Sequence, residues 1–151
     1  MKVIYSNSGP VKNIRKHSLF LAGPTLRNAD TLTPWRQKAL EYLDHLNYDG
    51  TVFVPETKTK PWPDFITQVE WEDFGLDNCN IVVFWIPRNM KTLPGLTTNV
   101  EFGKYVGRKQ TFYGRPDDAS HIAYLDWLYN KETGCHPINN LKMLITVASL
   151  Y

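Results

Sequence analysis

The sequence predicts an α/β fold, a parallel sheet covered by helices on both faces. Three observations carry that expectation. Short apolar runs alternate with helical patterns at spacings that suit βαβ units. The run Ile81 to Trp85 is apolar throughout and bounded by polar residues, as in a central parallel strand buried on both sides. At 151 residues and 42% hydrophobic content, with no internal repeat and no linker, the chain reads as one domain spanning residues 1–151.

The elements follow in order. Residues 1–16 are mixed and basic and read as a loose N-terminal arm. Ser18 to Ala22 is a short buried strand stopped by Gly23-Pro24. Thr33-Pro34 opens a helix, with Thr as N-cap and Pro at the first helical position. Trp35, Ala39, Tyr42, Leu43 and Leu46 share one face of it. Asp49-Gly50 turns the chain into a strand from Thr51 to Val54, followed by a proline-rich loop to Pro63. Asp64 caps a helix reaching about Asp77. Beyond the central strand and a loop from Pro87 to Thr97, a short helix runs from Thr98 to Gly107. Thr111 to Tyr113 is a further strand, and Asp118 caps a helix to Tyr129. Ile138, Leu141, Leu144, Ile145 and Ala148 mark a final helix.

Composition removes several function classes. Seventeen Lys and Arg against fifteen Asp and Glu leave a net charge of +2, too little for a platform that grips a nucleic acid polymer. Cys79 and Cys135 form no CxxC pair, and Cys135-His136 alone cannot complete a zinc site. The four His are scattered without metal-ligand spacing. The polar start and the absence of a long apolar run lead us to expect a cytoplasmic protein without disulfides or a membrane span. The 13% aromatic content fits either flat ligands or a dense core.

In a parallel α/β sheet, ligands bind beyond the carboxyl ends of the strands. That singles out Gly23-Pro24, Pro55-Glu56, Ile86-Pro87 and the loop before Glu101. On the second helix, Phe65, Val69 and Leu76 make a narrow apolar stripe, with Glu72 in its middle and Asp73 on its edge. A carboxylate on an inward face costs about 2–7 kcal/mol unless it is paired or functional. Glu72 therefore either pairs with an Arg such as Arg36 or serves a site. Glu101 also has two readings. Thr98-Asn99-Val100-Glu101 matches a capping box, yet a Glu in the first turn at this sheet edge also suits a nucleophile. Two carboxylates converging on one cleft suit glycosidic chemistry. Phosphate-loop, dinucleotide, serine-hydrolase and HExxH motifs are all absent, and Pro24 removes an amide that a phosphate cradle after the first strand would use.

Together, Phe20-Leu21-Ala22-Gly23-Pro24, Trp71-Glu72, Asn80-Ile81-Val82-Val83-Phe84 and Thr97-Thr98-Asn99-Val100-Glu101-Phe102-Gly103 resemble the nucleoside 2-deoxyribosyltransferase family. The nearest likeness is to its deoxyribosyltransferase-like branch, through Trp35-Arg36 and the Phe-Trp-Ile-Pro run. The resemblance implies a Rossmann-like (flavodoxin-like) sheet, no metal or organic cofactor, and a homo-oligomer whose subunits complete each other's sites. It places the family's nucleophile on Glu101 and its base-contacting acid on Glu72, eight residues before Asn80. Candidate substrate-binding residues are Gly23, Pro24 and Thr25 after the first strand, with Trp71 and Asp77 on the second helix. Trp85 and Asn99 complete the set. Three positions depart from the family pattern: its tyrosine falls on Phe20, its second base-reading Asp on Gly95, and the Asp opening its central strand on Asn80.

Three functions are then expected in order of preference. The first is transfer of deoxyribose between bases. The second is hydrolysis of a deoxynucleoside 5′-monophosphate, with Thr25, Arg27 and Arg36 meeting the phosphate. The third is non-catalytic binding of a nucleotide signal. Gly103 and Gly107, four apart on one predicted helix, would allow close packing between subunits in a dimer or larger assembly.

Overall fold

A computed structural model describes residues 1–26 and 31–151. Five strands, β1 (Lys2–Tyr5), β2 (Ser18–Ala22), β3 (Thr51–Val54), β4 (Ile81–Trp85) and β5 (Gln110–Gly114), form one sheet. All pairs are parallel, and the order is β1-β3-β2-β4-β5. The helices are α1 (Pro34–His45), α2 (Phe65–Asn78), α3 (Leu96–Tyr105), α4 (Ala123–Thr133) and α5 (Leu141–Ser149). This is the flavodoxin-like, Rossmann-like α/β arrangement that the sequence predicts.

Strand alternation divides the core into two layers. Phe20, Phe53, Val82 and Phe84 point to the face covered by α2, α3 and α4, where Leu76, Phe102 and Tyr129 meet them. Leu19, Leu21, Val52 and Val83 point to the other face, beneath Trp35, Ala39 and Leu43 of α1 and Leu144, Ile145 and Ala148 of α5. Strand β4 is buried along its whole length, as its continuous apolar run requires.

Four local expectations are corrected. Lys2–Tyr5 is no loose arm; Val3, Ile4 and Tyr5 pair in register with Val52, Phe53 and Val54 as an edge strand. Helix α3 begins at Leu96, with Gly95 in a left-handed conformation as N-cap, so Thr98 lies buried inside the first turn instead of capping it. Gly107 consequently lies beyond the end of α3, and the expected pairing with Gly103 on one helix does not arise. Helix α4 starts at Ala123 and not at Asp118, because residues 115–122 form turns, with Ala119 N donating to Pro116 O and Ser120 N to Arg88 O in the loop after β4.

Helix α2 has the boundaries expected of it, and the Asp64 carboxylate accepts from Thr67 N at 3.1 Å as the N-cap. Its orientation differs from the stripe reading. Phe65, Ile66, Val69 and Phe74 are exposed, and the buried positions are Gly75 and Leu76. Helix–sheet contact is made at the carboxyl half, where Trp71 packs 6.1 Å from the rings of both Phe20 and Phe53.

Candidate active site

The chain leaves β2 for β3 on one side and returns through α2 to β4 on the other. That reversal opens a crevice between the carboxyl ends of β2 and β4, the place where such sheets bind ligands. A cavity of about 430 Å³ lies there, within the range of small-molecule sites. Its walls are the Gly23-Pro24-Thr25 segment after β2, Pro55 after β3, Glu72 of α2, and the residues around Gly95 and Glu101 of α3.

The first wall is built by tight backbone contact and by a buried charge. Gly23 sits so close to β4 that a Cβ there would lie 2.1 Å from the carbonyl oxygen of Trp85, and its φ is +146°. Only glycine fits that position. Arg36, the third residue of α1, is fully buried and holds the segment by its carbonyls. Its Nε donates to Leu21 O at 3.0 Å, and its terminal nitrogens donate to Gly23 O at 2.7 Å and Thr25 Oγ1 at 2.8 Å. The Trp35 indole adds a bond to Pro24 O at 3.0 Å. Arg36 also forms an ion pair with the buried Glu56, whose second oxygen accepts from Thr33 N at 2.7 Å. Burial pulls the Arg36 guanidinium below its ordinary pKa, while the carboxylates of Glu56, Glu101 and Glu72 oppose that shift.

The two candidate carboxylates come from separate elements and meet at this cavity. Glu101 lies nearly two turns beyond Gly95, half-buried beside the inward-facing Phe102. Because α3 starts at Leu96, Glu101 lies beyond reach of an N-cap and the capping-box reading falls away. Glu72 is half-buried and accepts from Gln68 Nε2 at 2.7 Å; the same amide donates to Pro55 O at 3.2 Å. The expected Glu72–Arg36 pair is replaced by Arg36–Glu56.

Gly23, Pro24 and Thr25 line the cavity as expected. The other candidate binding residues lie elsewhere. Trp71 is wedged between α2 and the sheet. Trp85 is buried on the α1 face, because alternation along β4 turns its ring away from α3. Asp77, near the far end of α2, accepts from the Tyr105 hydroxyl at 2.7 Å. Asn99 accepts from the buried Arg88 at 2.5 Å, a bond that ties the first turn of α3 to the loop after β4. Arg27, assigned to a phosphate, lies outside the described residues. Arg36, assigned to the same phosphate, has its donors committed to protein acceptors.

Sequence reasoning missed the role of Arg36 with Glu56, and a signal for it was present. Arg36 follows Trp35 on the Ala39 and Leu43 face, and Glu56 stands at a strand's carboxyl end. It also missed a second cavity of about 210 Å³ that shares Thr25, Pro55, Glu72 and Thr97 with the first. Trp62, Phe65, Gln68 and Val69 extend its walls. Among the described residues, no group of His, Cys, Asp and Glu side chains could hold a metal ion. Among the described residues, no helix is long and apolar enough to cross a membrane.

A family model described as nucleoside 2-deoxyribosyltransferase like matches residues 16–119. The chain belongs to that family. No curated protein matches it. The match extends from the start of β2 past β5 and so takes in every wall of the first cavity.

As a member of the nucleoside 2-deoxyribosyltransferase-like family, the protein shows why two expected side chains are missing. At Gly95, the position expected for a second acidic residue, φ is +55° and an added Cβ would stand 2.5 Å from Pro24 Cγ. Close contact between the two loops leaves no room for Asp. At Phe20, where a tyrosine was expected, the ring is buried and stacks 6.2 Å from Phe53 under α2, where a hydroxyl would need a partner.

Proposed function

We propose that the protein cleaves the N-glycosidic bond of a 2′-deoxynucleoside and transfers the deoxyribosyl group to another base. The observation that carries this reading is that Glu101 and Glu72, from different helices, line one cavity at the reversal point of the sheet. Family membership adds the substrate class.

The Glu101 carboxylate attacks C1′ through an oxocarbenium-like transition state as the C1′–N bond breaks. The bonding pair leaves with the base nitrogen, and a deoxyribosyl ester forms on Glu101. Glu72, on the opposite wall, holds the base by hydrogen bonds and handles its proton. A nitrogen of an incoming base then attacks C1′ and releases the Glu101 carboxylate. The buried Arg36 lies beneath the Gly23–Thr25 wall, close enough to Glu101 and Glu72 for their carboxylates to oppose the fall in its own pKa. Hydrolysis of a 5′-monophosphate has less support, since of the groups expected at the phosphate only Thr25 lines the cavity among the described residues.

Chromatography of the purified protein with deoxynucleosides and their monophosphates, with and without a free acceptor base, tests the reading. Exchange of one base for another is expected. Release of base without exchange would assign hydrolysis, and no turnover on any substrate would assign binding alone.

The same reading includes a homo-oligomer, and an apolar surface beside the cavity mouths supports it. Phe65, Ile66 and Val69 of α2 and Leu96 and Val100 of α3 are all exposed, and Phe65, Val69 and Leu96 border the two cavities. A second copy covering this face would shield substrate from water. Light scattering is expected to give a dimer or larger, and Val100→Glu to shift it toward monomer. A wild-type monomer that turns over substrate would remove the oligomer from the mechanism.

A further inference from the structure

Two arginines of the protein are buried, and their charges are met differently. Arg36 has the Glu56 carboxylate beside it. Arg88, in the loop after β4 and 4% exposed, has only neutral acceptors. Its Nη1 donates to His121 O at 2.9 Å, and its Nη2 donates to Asn99 Oδ1 at 2.5 Å and to Gly95 O at 3.4 Å. Its Nε has no acceptor, and no carboxylate pairs with the guanidinium among the described residues. Burial pulls its pKa below the ordinary value, with only Tyr113 opposing. A buried cation satisfied in this way is a costly brace, and the partial positive charge at the start of α3 adds repulsion. Stability alone is a poor reason for it.

What Arg88 holds is the base of the loop that brings the chain to Glu101. Asn89 and Leu93 pair through their backbones and close that loop on itself. Pro94 and Gly95 then line the first cavity, and Gly95 is the N-cap of α3. The Arg88 guanidinium reaches across to the Gly95 carbonyl and to Asn99 in the first turn of the helix. On its other side Arg88 is anchored in the segment before α4, through His121 O and through Ser120 N, which donates to Arg88 O at 3.1 Å.

The side on which this clamp pulls decides its effect. Helix α3 buries Thr98, Phe102 and Tyr105. Asn99 and Glu101 lie about 160° apart around the helix axis, on opposite flanks of that buried face. A lateral tether on Asn99 resists rolling of α3, and a roll would swing the Glu101 flank across the cavity. With side chains reaching about 5–6 Å from the axis, a roll of about 10° displaces a carboxylate by about 1 Å. A misplacement of that size costs about 100-fold in rate. We infer that Arg88 is a positioning residue: through Asn99 and the Gly95 carbonyl it sets the roll of α3, and with it the aim of the Glu101 carboxylate. This rests on the proposed function for Glu101 as the nucleophile. It also gives Asn99 a role through the protein instead of through substrate.

Kinetics of variants in the full chain test the clamp. Asn99 lies at the surface, so Asn99→Ala removes the tether without opening the core. It is expected to lower kcat by about 10–100-fold while KM changes by less than about 3-fold. Asn99→Asp keeps an acceptor for Arg88 and should recover most of that loss. Arg88→Lys replaces the fork by a single ammonium and should lose kcat as Asn99→Ala does, and combining the two should cost no more than either alone. Wild-type kcat in Asn99→Ala, or a loss carried by KM alone, would overturn the assignment. So would an Asn99→Asp variant as slow as Asn99→Ala. Crystal structures of the wild-type protein and Asn99→Ala separate this inference from the proposed reaction, with the Glu101 carboxyl expected to shift by about 1 Å or more. Such a shift, in a protein whose wild type turns over no deoxynucleoside, keeps the clamp and removes the transfer chemistry. An unmoved Glu101 removes the clamp whatever the turnover.

Discussion

Arg36 and Glu56 form an ion pair whose side chains are 0% and 1% exposed, directly beneath the wall that carries Gly23, Pro24 and Thr25. Few charges in the protein are so fully removed from water, and the pair is retained because both partners also bind the backbone. Arg36 collects the carbonyls of Leu21 and Gly23, and Glu56 collects the amide of Thr33. One pair thereby fixes the loop after β2 to the start of α1.

Breaking such a pair on one side leaves a buried charge without compensation. Glu56→Ala is expected to cost about 3–5 kcal/mol, seen as a lower urea midpoint at unchanged slope. Arg36→Met combined with Glu56→Leu removes both charges and should cost less than the single change. The double variant should still lose activity, because the carbonyls of the cavity wall lose their anchor. A double variant less stable than Glu56→Ala would show that the pair stabilises the fold in its own right.

Glu101→Gln is expected to abolish turnover while leaving stability within about 0.5 kcal/mol, as for a substitution outside the core. With Gly95 as the N-cap, no helix cap is lost in this variant. Glu72→Gln should lower kcat/KM by about 10²–10⁴-fold, the range for a positioned acid–base group. Steady-state kinetics and thermal melts on the two variants check both statements. Full activity in Glu101→Gln would remove it as the nucleophile.

Two glycines near α3 should respond in opposite directions. Gly95→Asp restores the acidic side chain expected from the family, yet it meets Pro24 and a left-handed backbone. Strain of about 1–3 kcal/mol is expected, with loss of substrate binding as Pro24 is displaced. Gly103 lies within α3, and an added Cβ there meets nothing within 4 Å. Gly103→Ala should be neutral or stabilising, by up to about 1 kcal/mol. Melting temperatures of the pair decide the point.

Alkaline pH should weaken the fold through two buried phenols. Burial raises Tyr48 and Tyr105 from 10.0 to about 12, and in Tyr105 donation to Asp77 adds to the shift. A pKa raised on folding means that the unfolded state releases the proton first. The contribution of these groups is thus complete below pH about 10 and is lost as pH rises toward about 12. Urea midpoints at intervals across that window should fall, and phenolate absorbance should appear with unfolding. Phenolate formation before any loss of structure would place the two hydroxyls in contact with solvent.

The sequence by itself determined four of the five strands, the order of the helices and the fold class, because those signals are local, whereas β1 shows only when it pairs with β3. The β-branched and apolar runs at β2, β3 and β4 are buried wherever they pair, and Thr33-Pro34 and Asp64 start helices from their own backbone chemistry. The strand ends at Gly23-Pro24 and Pro55 were legible for the same reason, while Glu72 stood out through an apolar stripe that α2 does not bury and Glu101 through a capping box that α3 does not form. Tertiary structure alone decided which face each helix shows. Phe65 and Val69 have the spacing of a buried stripe, but α2 touches the sheet only through its carboxyl half and leaves them exposed. The start of α3 was set by the contact of Gly95 with Pro24, 71 positions away in sequence, and not by the nearer Thr98. Arg36 found Glu56 in place of Glu72 because the α1 and β3 ends converge beneath the β2 loop. Such choices depend on partners that meet only after the sheet is assembled, and no local pattern encodes where those partners will lie.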